Sequence, residues 1–141
     1  VGSGPATDSL REQAREFGIE KYVHFPGPFR GKKLAEYVNQ NDILFAPSPM
    51  ETQGLYILEG MAAGLCVVGC NMRAIPIAIG KNERGLLFEN GNAEDAAEKV
   101  EQLIQNPAKR KKLAVAGKKW VQQYGRKRMA KEWLALYRSL I

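Results

Sequence analysis

The chain has 141 residues, of which 45% are hydrophobic, and its formal net charge is +6. A chain of this length can bury one hydrophobic core, which predicts a single domain over residues 1–141. Its apolar runs fall far short of the roughly 20 residues that a membrane-spanning helix requires, so the composition favours a soluble domain. The one histidine, His24, has no cluster of metal-ligating residues around it in the sequence, so we expect no metal site.

The first forty residues predict two helices. Thr7 or Asp8 can cap the first helix, which would end at Gly18. The second helix carries Leu34 and Tyr37, which are spaced to share one helix face.

Two short apolar runs in the middle of the chain predict buried strands. They are residues 43–46 and 66–70, and a loop followed by a helix of about ten residues is expected between them. Cys66 and Cys70 would point to one face of the second strand, about 13 Å apart at roughly 3.3 Å per residue, which is too far for a disulfide. We therefore expect free thiols in the core and a reducing, cytoplasmic compartment.

The C-terminal part predicts three further helices. The first has apolar residues at helical spacing from Ala93 to Ile104, and Asn106 with Pro107 is typical of the cap and first residue of the next. The last helix carries four apolar residues at helical spacing, Trp133, Leu136, Tyr137 and Leu140. Helices that alternate with strands in this way predict an α/β fold, with a Rossmann-like parallel sheet covered by helices on both faces.

Glu51 and Glu59 lie eight residues apart between the two central strands. Gly54 and Leu55 would then begin the helix at the C-terminal edge of the sheet, where α/β folds bind ligands and free backbone N–H groups suit a phosphate. Two carboxylates facing one cleft could hold two parts of a polyhydroxylated ligand. The alternative is that Glu51 is a loop charge and Glu59 a solvated helix residue. Apolar neighbours on both sides of Glu59 predict a largely buried helix, in which its carboxylate would need a partner.

Residues 46–64, with seven residues separating Glu51 from Glu59 and with Gly54-Leu55 between them, resemble the retaining GT-B glycosyltransferases of group 1. This family includes glycogen and sucrose synthases, mannosyltransferases and bacterial glycolipid synthases. The resemblance covers nearly the whole chain, with a turn at residues 1–5, a strand and loop at 22–27, and a closing strand at 84–88. It implies the C-terminal, donor-binding domain, truncated at its N-terminus, with the N-terminal acceptor domain missing from this chain.

The resemblance implies a role for each residue of the motif. Glu51 would bind hydroxyls of the transferred sugar beside its anomeric carbon, as the catalytic residue. Glu59 would accept hydrogen bonds from the two ribose hydroxyls of the nucleotide. Backbone amides around Gln53, Gly54 and Leu55 would meet the sugar and the diphosphate, helped by the helix dipole.

Two further segments would complete the donor site. Pro28, Phe29 and Arg30 would lie against the base, with a surface turn as the alternative. The family often has Gly-Gly where Arg73 and Ala74 stand, and a guanidinium there could reach a phosphate or an acceptor headgroup, or pair on the surface. The sequence departs from the family at two more positions, where it often has Pro and Glu, here Cys66 and Ile77.

The reaction implied is the transfer of a hexose from a UDP-, GDP- or ADP-sugar to a sugar or lipid acceptor, without a metal ion or another cofactor. A nucleotide-sugar epimerase of the same architecture and a non-catalytic nucleotide-sugar-binding module are the alternatives. The residues that would grip the diphosphate lie upstream of Val1 in this family, so the fragment alone is expected to be inactive.

The basic residues are concentrated near the C-terminus. Residues 102–131 carry ten Lys and Arg and no acidic residue, whereas residues 1–101 carry ten basic and fourteen acidic residues, a net charge of −4. This segment is either a solvated basic face or a surface attracted to an anionic membrane, which would place the protein at the membrane periphery. Nucleic acid is not expected as a partner, because no aromatic platform accompanies the charge.

Overall fold

The structure, a computed structural model, describes residues 1–140, which form two compact units, residues 1–37 and a second unit that begins at Val38. In the first unit, helix α1 spans Thr7–Glu16, a short 3-10 helix spans Glu20–Tyr22, and helix α2 begins at Gly31 and ends at Val38. The prediction of one domain over the whole chain stays a prediction.

The cap position of helix α1 lies one residue before Thr7, the first of the two predicted caps. Ala6 occupies the cap position without a capping side chain, and the Thr7 hydroxyl donates to the carbonyl of Gly4 at 2.8 Å. The predicted end of the helix is confirmed, since Gly18 adopts a left-handed φ of 64° and donates to the Arg15 carbonyl.

The strand expected over residues 22–25 is not formed. Within this unit the Gly27 carbonyl accepts one hydrogen bond, from the Gly2 amide at 2.9 Å. Extended residues become a strand only where a neighbouring segment supplies a regular ladder of such bonds. The sequence pattern indicated extended backbone here, but it could not indicate whether a neighbouring strand is present to pair with it.

The second unit contains a parallel sheet of three strands, β1 (Ile43–Ala46), β2 (Cys66–Cys70) and β3 (Gly85–Phe88), in that order. β1 pairs with β2 from Ile43 opposite Cys66, and β2 pairs with β3 from Val67 opposite Gly85. The strands alternate with helices, which fixes the parallel arrangement, because each crossover returns the chain to the same end of the sheet. The predicted α/β fold is confirmed.

The helices of this unit are α3 (Leu55–Ala63), α4 (Ile75–Ile79), α5 (Ala93–Gln105), α6 (Pro107–Val121), a 3-10 helix (Gln122–Tyr124) and α7 (Arg126–Ser139). The sequence predicts α3, α5, α6 and α7, whereas α4 and the 3-10 helix were not predicted. Asn106 ends α5 and caps α6, and its side chain accepts from the Lys109 amide at 2.8 Å. The predicted cap and first turn of α6 are therefore confirmed.

The core of the second unit is centred on β2, all of whose residues are buried. Gly69 in this strand has no side chain because α4 lies directly on it: a Cβ there would stand 2.5 Å from Cγ2 of Ile75 and 2.8 Å from Cδ1 of Ile79. Cys66 and Cys70 are free and buried, as predicted, and burial raises the pKa of the Cys66 thiol to about 11. Cys66 is therefore a protonated core residue at neutral pH.

Arg84 fixes the far end of the short helix α4. Its guanidinium donates to the carbonyls of Ala78 at 2.8 Å and Ile77 at 3.1 Å, which lie in the last turn of α4. The same group lies 4.5 Å from the ring centroid of Trp120 on α6. Arg84, the residue directly before β3, thus donates hydrogen bonds to carbonyls that the end of a helix leaves without partners.

Candidate functional site

The loop between β1 and α3 carries Glu51 in a specific local geometry. Oε1 of Glu51 accepts three backbone hydrogen bonds, from Thr52 at 3.0 Å, Gln53 at 3.2 Å and Gly54 at 2.8 Å. Gly54 can aim its amide at the carboxylate because its φ of 66° is left-handed, a conformation that glycine adopts without a steric penalty. The half-buried carboxylate of Glu51 is therefore hydrogen-bonded to the backbone of its own loop, directly before the first residue of α3.

These hydrogen bonds favour the negatively charged form of the Glu51 side chain. The N–H of Gly54, followed by that of Gln53, holds the pKa of the Glu51 carboxyl below its usual range, against an opposing effect of burial. Burial, and secondarily the Glu51 charge, raises the pKa of the neighbouring Tyr56 hydroxyl. Glu51 is thus an anion at neutral pH, which suits a hydrogen-bond acceptor or a group facing developing positive charge, and does not suit a general acid.

The amides available to a ligand at this helix start differ from those expected. Gln53 and Gly54 already donate to Glu51, whereas the amides of Leu55 and Tyr56 have no hydrogen-bond partner among residues 1–140. Sequence reasoning missed Tyr56, because it did not foresee that a side chain of the loop would occupy the earlier amides. Leu55 and Tyr56 offer the two N–H groups with which an anion could be bound here.

Glu59 is a solvent-exposed residue of α3. It is exposed on the second turn of α3, whose buried residues are Ile57, Gly60 and Met61. The expectation that Glu59 lies on a largely buried helix and needs a partner is therefore wrong: Ile57 and Met61 face inwards, whereas Leu58 is half-buried and Ala62 is exposed.

Glu59 lines a groove of about 480 Å³ between α3 and the end of α6. Leu55 and Leu58 contribute apolar surface to the same groove, and Lys118 and Tyr124 line its other side. Glu51 is not among the residues that line this groove, so the expectation that both carboxylates face one cleft stays a prediction.

A second loop, which follows β2, is joined to the loop of Glu51. The amide of Ala74 donates to the backbone carbonyl of Glu51 at 3.4 Å. Arg73 precedes it with a φ of 51°, and its side chain is exposed. The backbone at Arg73 thus adopts a conformation that a glycine at this position would adopt freely.

Pro28, Phe29 and Arg30 belong to the first unit. Pro28 and Arg30 are exposed, whereas the half-buried Phe29 packs against Tyr37, with ring centroids 5.0 Å apart. Their contact with a base stays a prediction.

Residues 1–140 hold neither a candidate metal site nor a candidate membrane-spanning helix. They contain no cluster of three or more His, Cys, Asp or Glu side chains placed to hold a metal ion. Within the same range, every helix is too short or too polar to span a bilayer.

Curated relatives match most of this chain. A D-inositol 3-phosphate glycosyltransferase of Corynebacterium aurimucosum is 32% identical over 123 residues, which cover 87% of this chain and 29% of that protein. The protein of the same name from Rhodococcus opacus is 31% identical over 138 residues, 97% of this chain and 31% of the relative. The chain thus spans about a third of the length of these relatives.

Solved structures share the fold. Sucrose-phosphate synthase from Thermosynechococcus elongatus superposes with a TM-score of 0.88 at 25% identity, over 99% of this chain and 37% of that one. HepE from Anabaena, solved in complex with UDP, gives a TM-score of 0.84 at 21% identity, over 95% of this chain and 36% of the other. These superpositions confirm the GT-B fold class. The family description "Glycosyl transferases group 1" matches residues 1–120, and the chain therefore belongs to this family of glycosyltransferases.

Proposed function

We propose that this chain is the donor-binding domain of a retaining, metal-independent glycosyltransferase that moves a hexose from a nucleotide-sugar to a sugar or lipid acceptor. The observation that carries the proposal is the ionised Glu51 beside the two unoccupied amides of Leu55 and Tyr56. In such a transfer, positive charge develops on the sugar while the nucleoside diphosphate departs. A fixed anion can stabilise the positive charge on the sugar, and neighbouring N–H donors can stabilise the negative charge of the departing diphosphate.

Glu51 is the proposed catalytic residue. Its Oε1 is committed to three amides, whereas Oε2 has no hydrogen-bond partner in the described part of the chain. Oε2 can therefore accept from a sugar hydroxyl while the loop stays in place. The lowered pKa keeps the group charged, so that it faces the anomeric carbon as an anion.

Glu59 is the proposed ligand of the ribose. Its carboxylate is exposed and lines a groove that is apolar beside it, at Leu55 and Leu58. A carboxylate accepts well from a vicinal diol, and apolar walls suit the faces of a nucleoside. The other residues proposed to contact the nucleotide-sugar are Gln53 and Gly54, whose amides already donate to Glu51, and Pro28, Phe29 and Arg30.

The relatives narrow the substrates to be tested first. HepE was solved with UDP, and the curated relatives are named D-inositol 3-phosphate glycosyltransferases. UDP-hexoses and phosphorylated cyclic polyols are therefore the first donors and acceptors to try, before GDP- and ADP-sugars. The acceptor site itself is proposed to lie on an N-terminal domain outside these residues.

Calorimetry and product analysis on the full-length protein test the proposal. UDP, GDP and ADP are titrated with and without EDTA, and a panel of nucleotide-sugars is then incubated with inositol phosphates and sugars. We expect one nucleotide to bind without a metal ion, and a product whose new linkage keeps the anomeric configuration of the donor. Strict metal dependence for all three nucleotides, or release of an epimerised nucleotide-sugar, contradicts the proposal.

Two substitutions separate the roles of the glutamates. Glu59→Gln should weaken nucleotide binding, whereas Glu51→Gln should leave nucleotide binding nearly unchanged and lower the transfer rate. Glu98→Gln, at an exposed glutamate on α5, is the matched control and should change neither. If Glu51→Gln abolishes nucleotide binding while Glu59→Gln does not affect it, the two assignments are reversed.

We also propose that the basic face of α6 attracts an anionic membrane and that the protein works in the cytoplasm at the membrane periphery. Lys111, Lys112 and Lys119 are exposed on this helix, and each well-placed basic residue contributes about 1 kcal/mol near an anionic surface. Sedimentation with phosphatidylglycerol vesicles should show binding at low salt that is lost at high salt. The triple change of these lysines to Ser should abolish binding, whereas the control triple at Lys21, Lys32 and Lys81 should not. Absence of binding at low salt would leave this surface a solvated face.

A further inference from the structure

Arg73 combines a cationic side chain with a backbone conformation that favours glycine. Its φ is 51°, and among the non-glycine residues of 1–140 only Lys81 and Asn82 also have a positive φ. Asn enters this region readily, whereas long side chains do so rarely. A residue held in such a conformation when glycine would fit better is a sign that its side chain has a role.

The guanidinium of Arg73 is not used by the fold. Arg84 donates to two carbonyls at the end of α4, and Arg110 donates to the Leu103 carbonyl at 2.8 Å. Arg73, by contrast, is exposed and forms no hydrogen bond or ion pair with any residue of the described chain. It is therefore available to bind something that is not part of these residues.

Its loop lies beside the catalytic loop. The residue after it, Ala74, donates its amide to the Glu51 carbonyl at 3.4 Å. Arg73 is the only basic residue in the two loops, residues 47–54 and 71–74, and no other Lys or Arg occurs between Lys33 and Lys81. The one basic residue of this loop pair thus precedes the residue whose amide contacts the backbone of Glu51, the one acidic residue of the pair.

The negative charge of the Glu51 carboxylate explains why a positive charge at Arg73 would help a phosphate to bind. Glu51 occupies three amides and places a negative charge at the start of α3. A phosphate group that approaches the amides of Leu55 and Tyr56 is repelled by this charge, because like charges a few ångströms apart interact strongly outside bulk water. A guanidinium on the adjoining loop offsets the repulsion and offers paired N–H donors to the phosphate oxygens.

We propose that Arg73 binds a phosphate group of a substrate and is a specificity-determining residue of this enzyme. The proposal rests on the proposed function. The phosphate belongs either to the diphosphate of the donor or to a phosphorylated acceptor, and both present the same chemistry to the guanidinium.

Three variants of the full-length protein test this proposal. Arg73→Gly and Arg73→Asn remove the charge and suit the left-handed backbone, and Arg73→Lys keeps the charge without the paired N–H groups. Lys81→Asn is the matched control, because Lys81 is also basic, exposed and left-handed, with a φ of 46°. Each protein is titrated by calorimetry with UDP and, separately, with D-inositol 3-phosphate, and its Tm is measured.

We expect Arg73→Gly and Arg73→Asn to raise the Tm and to weaken binding of one phosphate probe by about 10- to 100-fold, since a hydrogen bond to a charged group typically contributes this much. Arg73→Lys should lie between these variants and the wild type. Lys81→Asn should raise the Tm without affecting binding. Loss with UDP assigns Arg73 to the donor, and loss with the inositol phosphate assigns it to the acceptor.

The outcomes separate the two proposals. A wild-type protein that binds UDP, together with Arg73 variants that bind both probes as tightly as the wild type does, overturns the role of Arg73 and leaves the proposed function standing. A wild-type protein that binds none of UDP, GDP, ADP and the inositol phosphate overturns both; a protein that binds GDP or ADP in place of UDP is tested with that nucleotide.

Discussion

Replacing Gly69 by alanine should destabilise the second unit through a single methyl group. Its Cβ would lie 2.5 Å from Cγ2 of Ile75 and 2.8 Å from Cδ1 of Ile79, whereas non-bonded carbons prefer about 3.5–4.0 Å. The overlap is thus roughly 1 Å on two buried side chains, and both belong to α4, which has to move away from the sheet. Added methyl groups in well-packed cores cost about 1–3 kcal/mol, and we expect a value at the upper end of this range.

The assay is urea unfolding followed by circular dichroism, together with the Tm. Gly69→Ala should lower the midpoint with an unchanged m-value, and a loss of this size corresponds to several degrees in Tm. Gly4→Ala is the control, because no atom lies within 4 Å of a Cβ at Gly4 and its φ is not left-handed.

A second substitution identifies the cause. Ile79→Val removes Cδ1, one of the two overlapping atoms, so it should cost less in the Gly69→Ala background than the roughly 0.5–1.5 kcal/mol typical of Ile→Val alone. Gly69→Ala with wild-type stability, or strictly additive effects of the two changes, would refute the packing argument.

Three further predictions concern the core, a helix cap and the loop of Glu51. Leu103→Ala removes a fully buried side chain and should lower the free energy of unfolding by about 2–5 kcal/mol in urea titrations. Asn106→Ala removes the acceptor of the Lys109 amide and should cost about 0.5–2 kcal/mol, whereas Asn106→Ser should retain most of the stability. The folded-state pKa of Glu51 is lowered, so its contribution to stability is present at neutral pH and is lost as the pH falls through the acidic range; unfolding midpoints measured from pH 7 to pH 3 should therefore fall less in Glu51→Gln than in the wild type.

The sequence was sufficient where local pattern and burial agree. β1 and β2 were predicted with the boundaries that the structure shows, because short apolar runs bounded by turn residues leave few alternatives. Asn106-Pro107 marked the start of α6 because capping depends on neighbouring residues alone. The family resemblance, read from the spacing of Glu51 and Glu59, is confirmed by the match over residues 1–120.

The sequence was insufficient where geometry depends on distant residues or on side-chain direction. Residues 22–25 needed a neighbouring strand that no local pattern reveals. The exposure of Glu59 depends on which side of α3 meets the core, and a helix with apolar residues on most sides does not indicate this clearly. The turn of Glu51 onto its own loop depends on a left-handed Gly54; the glycine three residues after the glutamate was the one available signal.

Arg84 makes the candidate site sensitive to changes far from it in sequence. Helix α4 has only five residues, too few to be stable alone, and it begins directly after the loop of Arg73 and Ala74. Its last turn is held by Arg84, which rests on Trp120 of α6. Loss of the Trp120 ring should loosen Arg84, then α4, and finally the loop that adjoins Glu51. Trp120 is thereby a position at which evolution or engineering can adjust the mobility of the loop of Arg73 and Ala74, which is proposed to bind substrate.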